Sequence, residues 1–113
     1  MENLIEKKSF EFAVRIVKLC QYLQQNKNEY VLSKQIMRSG TSIGANVTES
    51  QQAQSRADFV SKLSIALKES EETAYWLRLL CATDYISKKM YLSIYGDNRE
   101  LSKILVSIIK STK

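Results

Sequence analysis

Apolar residues recur three and four positions apart along nearly the whole chain, and the pattern divides it into four stretches. The first, about Leu4 to Gln25, puts Phe12, Ile16, Leu19 and Leu23 on one face with Cys20 beside them. Phe10, Val14 and Val17 form a second, smaller stripe, and QNKNEY reads as a turn. The second stretch, from Val31 or Ser33 to about Ala53, aligns Ile36, Gly40, Ile43 and Val47. Gln35, Arg38, Ser39, Ser42, Asn46 and Glu49 share the neighbouring polar face. The third begins after Ser55, a helix-capping residue type followed three positions later by Asp58, as in a capping box. From there to about Tyr85, Phe59, Leu63, Ala66, Ser70, Leu77 and Cys81 share one face, while Ile65, Trp76 and Leu79, with Glu72 among them, form another. The fourth runs from near Ser87 to about Lys110, with Met90, Ile94, Leu101, Leu105 and Ile108 on one face and Ile104 at its flank. Within it, YGDNRE gathers Gly96, Asp97 and Asn98, which signals a local break with Asn98 capping a terminal helix from Arg99; one continuous helix is the other reading.

RSGTSIGANVTES, residues 38–50, carries two of the three glycines of a chain that has no proline. A phosphate-gripping loop needs closely spaced glycines followed by a lysine and a hydroxyl at a helix start. Here Gly40 and Gly44 are four apart and the nearest lysine precedes them. The apolar period continues through both, which predicts an unbroken helix whose small side admits a neighbouring backbone; each glycine costs that helix about 1 kcal/mol relative to alanine. A bend or break at one of them is the competing reading.

Four amphipathic stretches, short connections and no strand pattern predict an all-α protein, an antiparallel up-down-up-down four-helix bundle forming one domain over residues 1–113. Each bundle helix buries about one face. Phe10, Val14, Val17, Ile65, Trp76 and Leu79 are therefore surplus, which implies self-association or a core that reaches further round each helix.

Composition removes several chemistries. There is no histidine among the 113 residues, so a Ser/His nucleophile, the Glu-x-x-His pairs of di-iron bundles and the commonest zinc nitrogen ligand are all missing. Cys20 and Cys81 lie in helical patterns without a partner cysteine and read as buried free thiols. Glu69, Glu71 and Glu72 form the densest acidic cluster; without an oxygen-rich loop they read as solvated or ion-paired rather than as a divalent-cation site. No catalytic group, metal site or cofactor is expected. With no long apolar run and no apolar leader after MENLIEKK, a cytoplasmic, non-membrane protein is expected.

What remains is surface. The candidate assembly or packing seam comprises Gln35, Arg38, Gly40, Ser42, Ile43, Gly44, Asn46, Glu49, Glu72 and Trp76. Arg38 and Glu49 are about 16 Å apart along a helix and need partners elsewhere, for which Arg38–Glu72 and Glu49–Arg78 are candidate pairs within the chain or between subunits. The net charge of +5 is uneven: residues 1–48 hold seven basic against four acidic residues, 49–84 four against six, and 85–113 six against two. Lys7, Lys8, Arg15, Lys18, Lys88, Lys89, Arg99, Lys103 and Lys110 are the candidate nucleic-acid contacts, with Lys27, Lys34 and Lys113 near them. Tyr22, Tyr30, Tyr91 and Tyr95 offer stacking faces, and equally seal helix edges. The partners considered are further copies of the chain, RNA, DNA or a nucleic-acid-processing protein. A simply solvated basic surface is the plain alternative.

QIMRSGTSIGANVTES, followed by Asp58–Phe59 and ALKESEETAYWL, resembles the four-helix-bundle family encoded in intervening sequences of large-subunit ribosomal RNA genes. The likeness covers nearly the whole chain, with Ser50 where the family usually has glycine. It implies a left-handed bundle that assembles as a ring-like homopentamer. It also marks Arg38, Ser42, Asn46, Glu49 and Glu72 as family positions without an established duty. The family is more distantly similar to accessory proteins of diversity-generating retroelements, which associate with a reverse transcriptase and nucleic acid; a shared fold does not transfer that activity.

Overall fold

The computed structural model describes residues 3–112, which form four helices: α1 (Leu4–Lys27), α2 (Leu32–Ser50), α3 (Arg56–Ala82) and α4 (Lys88–Thr112). Each helix packs against its chain neighbours, α4 returns against α1, and among the described residues the backbones of the diagonal pairs stay apart across the shared core. Contacts run in opposite order along adjacent helices. Gly40 and Gly44 of α2 face Ile16 and Ser9 of α1, and Lys8 and Arg15 of α1 face Glu100 and Asp97 of α4. The result is an all-α four-helix bundle.

The helix ends have local causes. Asn3 Oδ1 accepts the Glu6 amide at 2.9 Å, which satisfies one of the orphan donors of α1. At its other end Asn28 turns left-handed (φ 52°), so the Glu29 amide donates back to Leu23 O at 3.0 Å. The buried Glu29 carboxylate then accepts the amides of Val31, Leu32 and Ser33 at 3.2, 3.0 and 2.8 Å, and thereby starts α2. Ser55 Oγ accepts the Asp58 amide at 3.0 Å while Asp58 reaches back to the Gln54 amide at 3.2 Å, a near capping box. Two boundaries are shorter than the pattern suggested. Amides 51–53 bond three residues back, which ends α2 at Ser50 rather than Ala53. Asp84 adopts φ 66°, which stops α3 before Tyr85.

Both glycines of α2 lie within a continuous helix, as the period requires. A Cβ on Gly40 would sit 2.8 Å from Ile16 Cγ1, and one on Gly44 would sit 3.3 Å from the Ser9 carbonyl oxygen. Of the two readings left open for α4, the continuous helix is the one found. Gly96 is helical with no positive φ, and Asn98 is a fully buried residue of the helix interior instead of a cap. On the same helix Ile109, not Ile108, is the fully turned-in residue, with Ile108 half-buried. Leu80 is completely buried on α3 while Leu79 is half-buried. No atom outside the local helix lies within 4 Å of where a Gly96 Cβ would be. Gly96→Ala should therefore stabilise the protein by about 0.5–1 kcal/mol through helix propensity alone, read as a higher urea midpoint with an unchanged slope. An unchanged or lower midpoint would mean that this turn of α4 is not regular helix.

Candidate interaction surface

The polar strip of α2 meets α3 of the same chain. Arg38 forks between two carboxylates one helical turn apart, Nη1 to Glu69 at 2.8 Å and Nη2 to Glu72 at 2.5 Å. Trp76 Nε1 donates to the same Glu72 oxygen at 3.0 Å. The indole N–H and the guanidinium together hold the Glu72 carboxyl below its usual range. Glu69 and Glu72 thus face a cation of the protein itself. At the other end of the strip Glu49 pairs with Lys62 at 3.2 Å, not with Arg78. The reason is register: eleven residues forward along α2 from Arg38 is about eleven residues back along α3 from Glu72, which leads to the neighbourhood of Lys62. Ser42 Oγ and Asn46 Nδ2 donate to carbonyls of their own helix, Arg38 O at 2.5 Å and Ser42 O at 2.9 Å, and Gln35 is exposed. Below the strip, Thr73 donates to buried Ser39 at 2.9 Å.

A second polar network, absent from the sequence reading, joins α3 to α4. Asn98 Nδ2 donates to Ser70 O at 2.8 Å, Ser70 and Ser102 share a hydroxyl hydrogen bond of 2.8 Å, and Ser102 donates to Glu71 at 2.8 Å. Arg99 closes the network, donating to Asn98 Oδ1 at 2.9 Å and to both Glu71 oxygens at 2.8 and 3.3 Å. Partial burial pushes the Glu71 carboxyl up, but Arg99 and Ser102 outweigh it and leave the group below its usual range. Arg99 also stands 5.2 Å over the Tyr95 ring, which stacks on Tyr91. One signal was available: Asn98 falls on the apolar period of α4, between Ile94 and Leu101.

The basic residues separate into paired and free. Lys8 bonds Glu100 at 2.9 Å, Arg15 bonds Asp97 at 2.7 Å and Ser93 Oγ at 3.0 Å, and Arg99 is engaged with Glu71. The α1/α4 pairs border a cleft of about 270 Å³ floored by Phe12 and Leu101. Lys7, Lys18, Lys88, Lys89, Lys103 and Lys110 are exposed and form no ion pair among the described residues. They do not share one face. Lys7, Lys103 and Lys110 lie toward the end where α1 begins, and Lys88 and Lys89 at the opposite end. Lys113 lies outside the described residues.

The surplus apolar residues also divide. Trp76, Leu79 and Val17 are half-buried, whereas Phe10, Val14 and Ile65 are 67%, 39% and 41% exposed. Phe10 and Ala13 edge a groove against Thr41, Gly44, Ala45 and Thr48, shallow because Gly44 brings α2 onto the Ser9 backbone. The core side of the strip behaves differently, since Ile36, Ile43 and Val47 are completely buried.

Cys20 is buried and donates to Ser33 O at 3.3 Å; burial, with the nearby Glu29 charge, pushes its thiol up to about 11. Cys81 is half-buried and also unpaired. Among the described residues no group of three or more acidic or cysteine side chains is arranged to hold a metal ion. Among the described residues no helix is long and apolar enough to cross a membrane.

A solved structure from Bacteroides thetaiotaomicron, described as a protein with unknown function from the S23 ribosomal protein family, is similar to this chain. It shares 59% identity over 95% of this chain and 99% of its own, with a TM-score of 0.94. No functionally curated protein matches. The family model for 23S rRNA-intervening sequence proteins matches residues 1–107, the whole of α1 to α3 and most of α4. With the glycine-bearing α2 and its Arg38 fork to α3 accounted for in the same span, the chain belongs to the 23S rRNA-intervening sequence protein family.

Proposed function

We propose that the protein is a non-enzymatic scaffold that assembles with copies of itself, as a ring-like pentamer in the cytoplasm, where unpaired thiols stay reduced. The observation that carries this reading is the placement of two exposed apolar patches on diagonal helices: Phe10 and Val14 on α1, and Ile65 on α3. Diagonal helices turn their outer faces in different directions. A contact from one patch to the other is therefore heterologous, and heterologous contacts close into rings when the rotation allows. The resemblance to ring-forming relatives favours five copies.

Light scattering across a concentration series tests the proposal. Particles near five times 13.0 kDa are expected, and Phe10→Glu with Val14→Glu should reduce them to single chains of unchanged helicity. A monomer at every concentration sinks the scaffold reading, and a dimer sinks the ring. A second reading, a nucleic-acid-binding accessory role, is favoured by the uneven placement of the unpaired cations.

A further inference from the structure

We propose that the end of the bundle built from turns 28–31 and 83–87 is a docking surface for a single-stranded polynucleotide. This rests on the second reading above, to which it adds a location and a ligand class, and it owes nothing to assembly. The described body is 44 Å long and 23 by 19 Å across, so each end is a compact face. Lys27, Lys34, Arg78, Lys88 and Lys89 are all exposed at this one. None of them forms an ion pair among the described residues. Further along the bundle Lys8, Arg15, Arg38, Lys62 and Arg99 are paired, while Lys7, Lys18, Arg56, Lys68, Lys103 and Lys110 are unpaired but spread over the other helices and the far end, where Glu6 and Asp58 also lie. Of the two carboxylates in this region, Glu29 is buried and committed to three backbone amides, which leaves Asp84 exposed.

Helix stability does not explain these cations. A helix start is electropositive and disfavours Lys and Arg. α1 and α3, which begin at the far end, carry Glu6 and Asp58 in their first turns. At this end the start of α2 is capped by the Glu29 carboxylate, whereas α4 has no acid in its first turn and opens on Lys88–Lys89 behind a neutral Ser87 cap. Lys27 alone sits where a helix favours it, in the last turn of α1. Two helix ends, those of α1 and α3, share this face with the two starts, and Glu29 neutralises the start of α2, so the positive potential comes from the side chains themselves, which suits a polyanion.

The single-stranded preference follows from the tip. Tyr30 is 52% exposed and Val31 72% exposed, in the turn between Lys27 and Lys34. A free phenol ring beside cations can stack on an unpaired base but has no access to the bases inside a duplex. Phosphate contacts from lysines carry no sequence information, so binding should be tolerant of sequence and steep in salt.

The test is fluorescence anisotropy with a labelled 20-mer as RNA, as DNA and as DNA duplex, from 50 to 300 mM salt, with circular dichroism confirming that each variant is folded. Binding to either single strand that weakens with salt is expected, and the RNA and DNA arms identify the sugar. Lys88→Gln with Lys89→Gln should reduce the salt slope by about 1.4 and affinity at 0.1 M salt by about 5-fold per lysine, if both proteins bind alike at 1 M. Tyr30→Ser should weaken single strands more than duplex. Equal loss from Lys103→Gln with Lys110→Gln at the far end would overturn the location while leaving nucleic-acid binding intact. Absence of binding at 50 mM salt would overturn both. Vesicles rich in phosphatidylserine that bind the protein without competition from the oligonucleotide would replace the polynucleotide with a membrane and also overturn the proposal.

Discussion

Gly40→Val should destabilise the protein by about 2–3 kcal/mol, although valine is the better helix former. The first added carbon already lies 2.8 Å from Ile16 Cγ1 and 2.9 Å from Cγ2. Ile16 is completely buried and branched at Cβ, so it has no free end to swing away. The two helices must separate, or α1 must rotate, and either motion loosens the packing of Ile36 and Ile43. Combining the substitution with Ile16→Ala gives the sharper measurement. Ile16→Ala alone leaves a cavity costing about 2–5 kcal/mol, which the valine methyls partly fill. The double variant should therefore lose at least 1 kcal/mol less than the two single losses added together, measured by urea unfolding. Simple additivity would show that Gly40 is not the point where the two helices meet.

Asn98→Ala should cost about 1–3 kcal/mol, since it removes the amide's hydrogen bonds to Ser70 O and Ser70 Oγ in a fully buried site and takes away the acceptor of Arg99 Nε. Asn98→Asp distinguishes this role from helix capping. Asp and Asn are equivalent at a helix start, so a capping residue would tolerate the change. In the buried network the amide donor to Ser70 O, 2.8 Å away, becomes a carboxylate oxygen facing a carbonyl oxygen, and Asp should cost at least as much as Ala. Thermal unfolding of both variants at neutral pH decides between them. A stable Asn98→Asp protein would return Asn98 to the cap role that its neighbours suggest.

These two positions mark the limits of what the sequence discloses. Gly40 was legible because its meaning is local: Ile36, Ile43 and Val47 keep the helical period on both sides, and a break would put them out of phase. Gly96–Asp97–Asn98 left a break and a continuous helix equally open because its meaning is tertiary. Asp97 is held by Arg15, eighty-two positions earlier, and Asn98 by Ser70, twenty-eight positions earlier, so neither supplies the turn that the tripeptide ordinarily makes. The Arg38–Glu72 contact was within reach, but the pairing of Glu49 with Arg78 was incompatible with it once α2 and α3 run antiparallel. Charge counting identified basic residues without separating the engaged from the free. Lys8, Arg15 and Arg99 are neutralised by neighbours that only folding provides, while Arg78 emerges at the basic end through topology alone.

The closure of α4 against α1 has a mechanical consequence. Where α1 meets α2 there is no room for even a Cβ between Gly40 and Ile16, but α1 meets α4 across a water-accessible cleft spanned by Lys8–Glu100 and Arg15–Asp97. Bonds of that kind slacken as ions accumulate in the medium, whereas hydrophobic contacts tighten. The bundle is thus built like a bound book, its spine along α2 and α3 and its fore-edge between the first and last helices, and brine would ease it open from that edge.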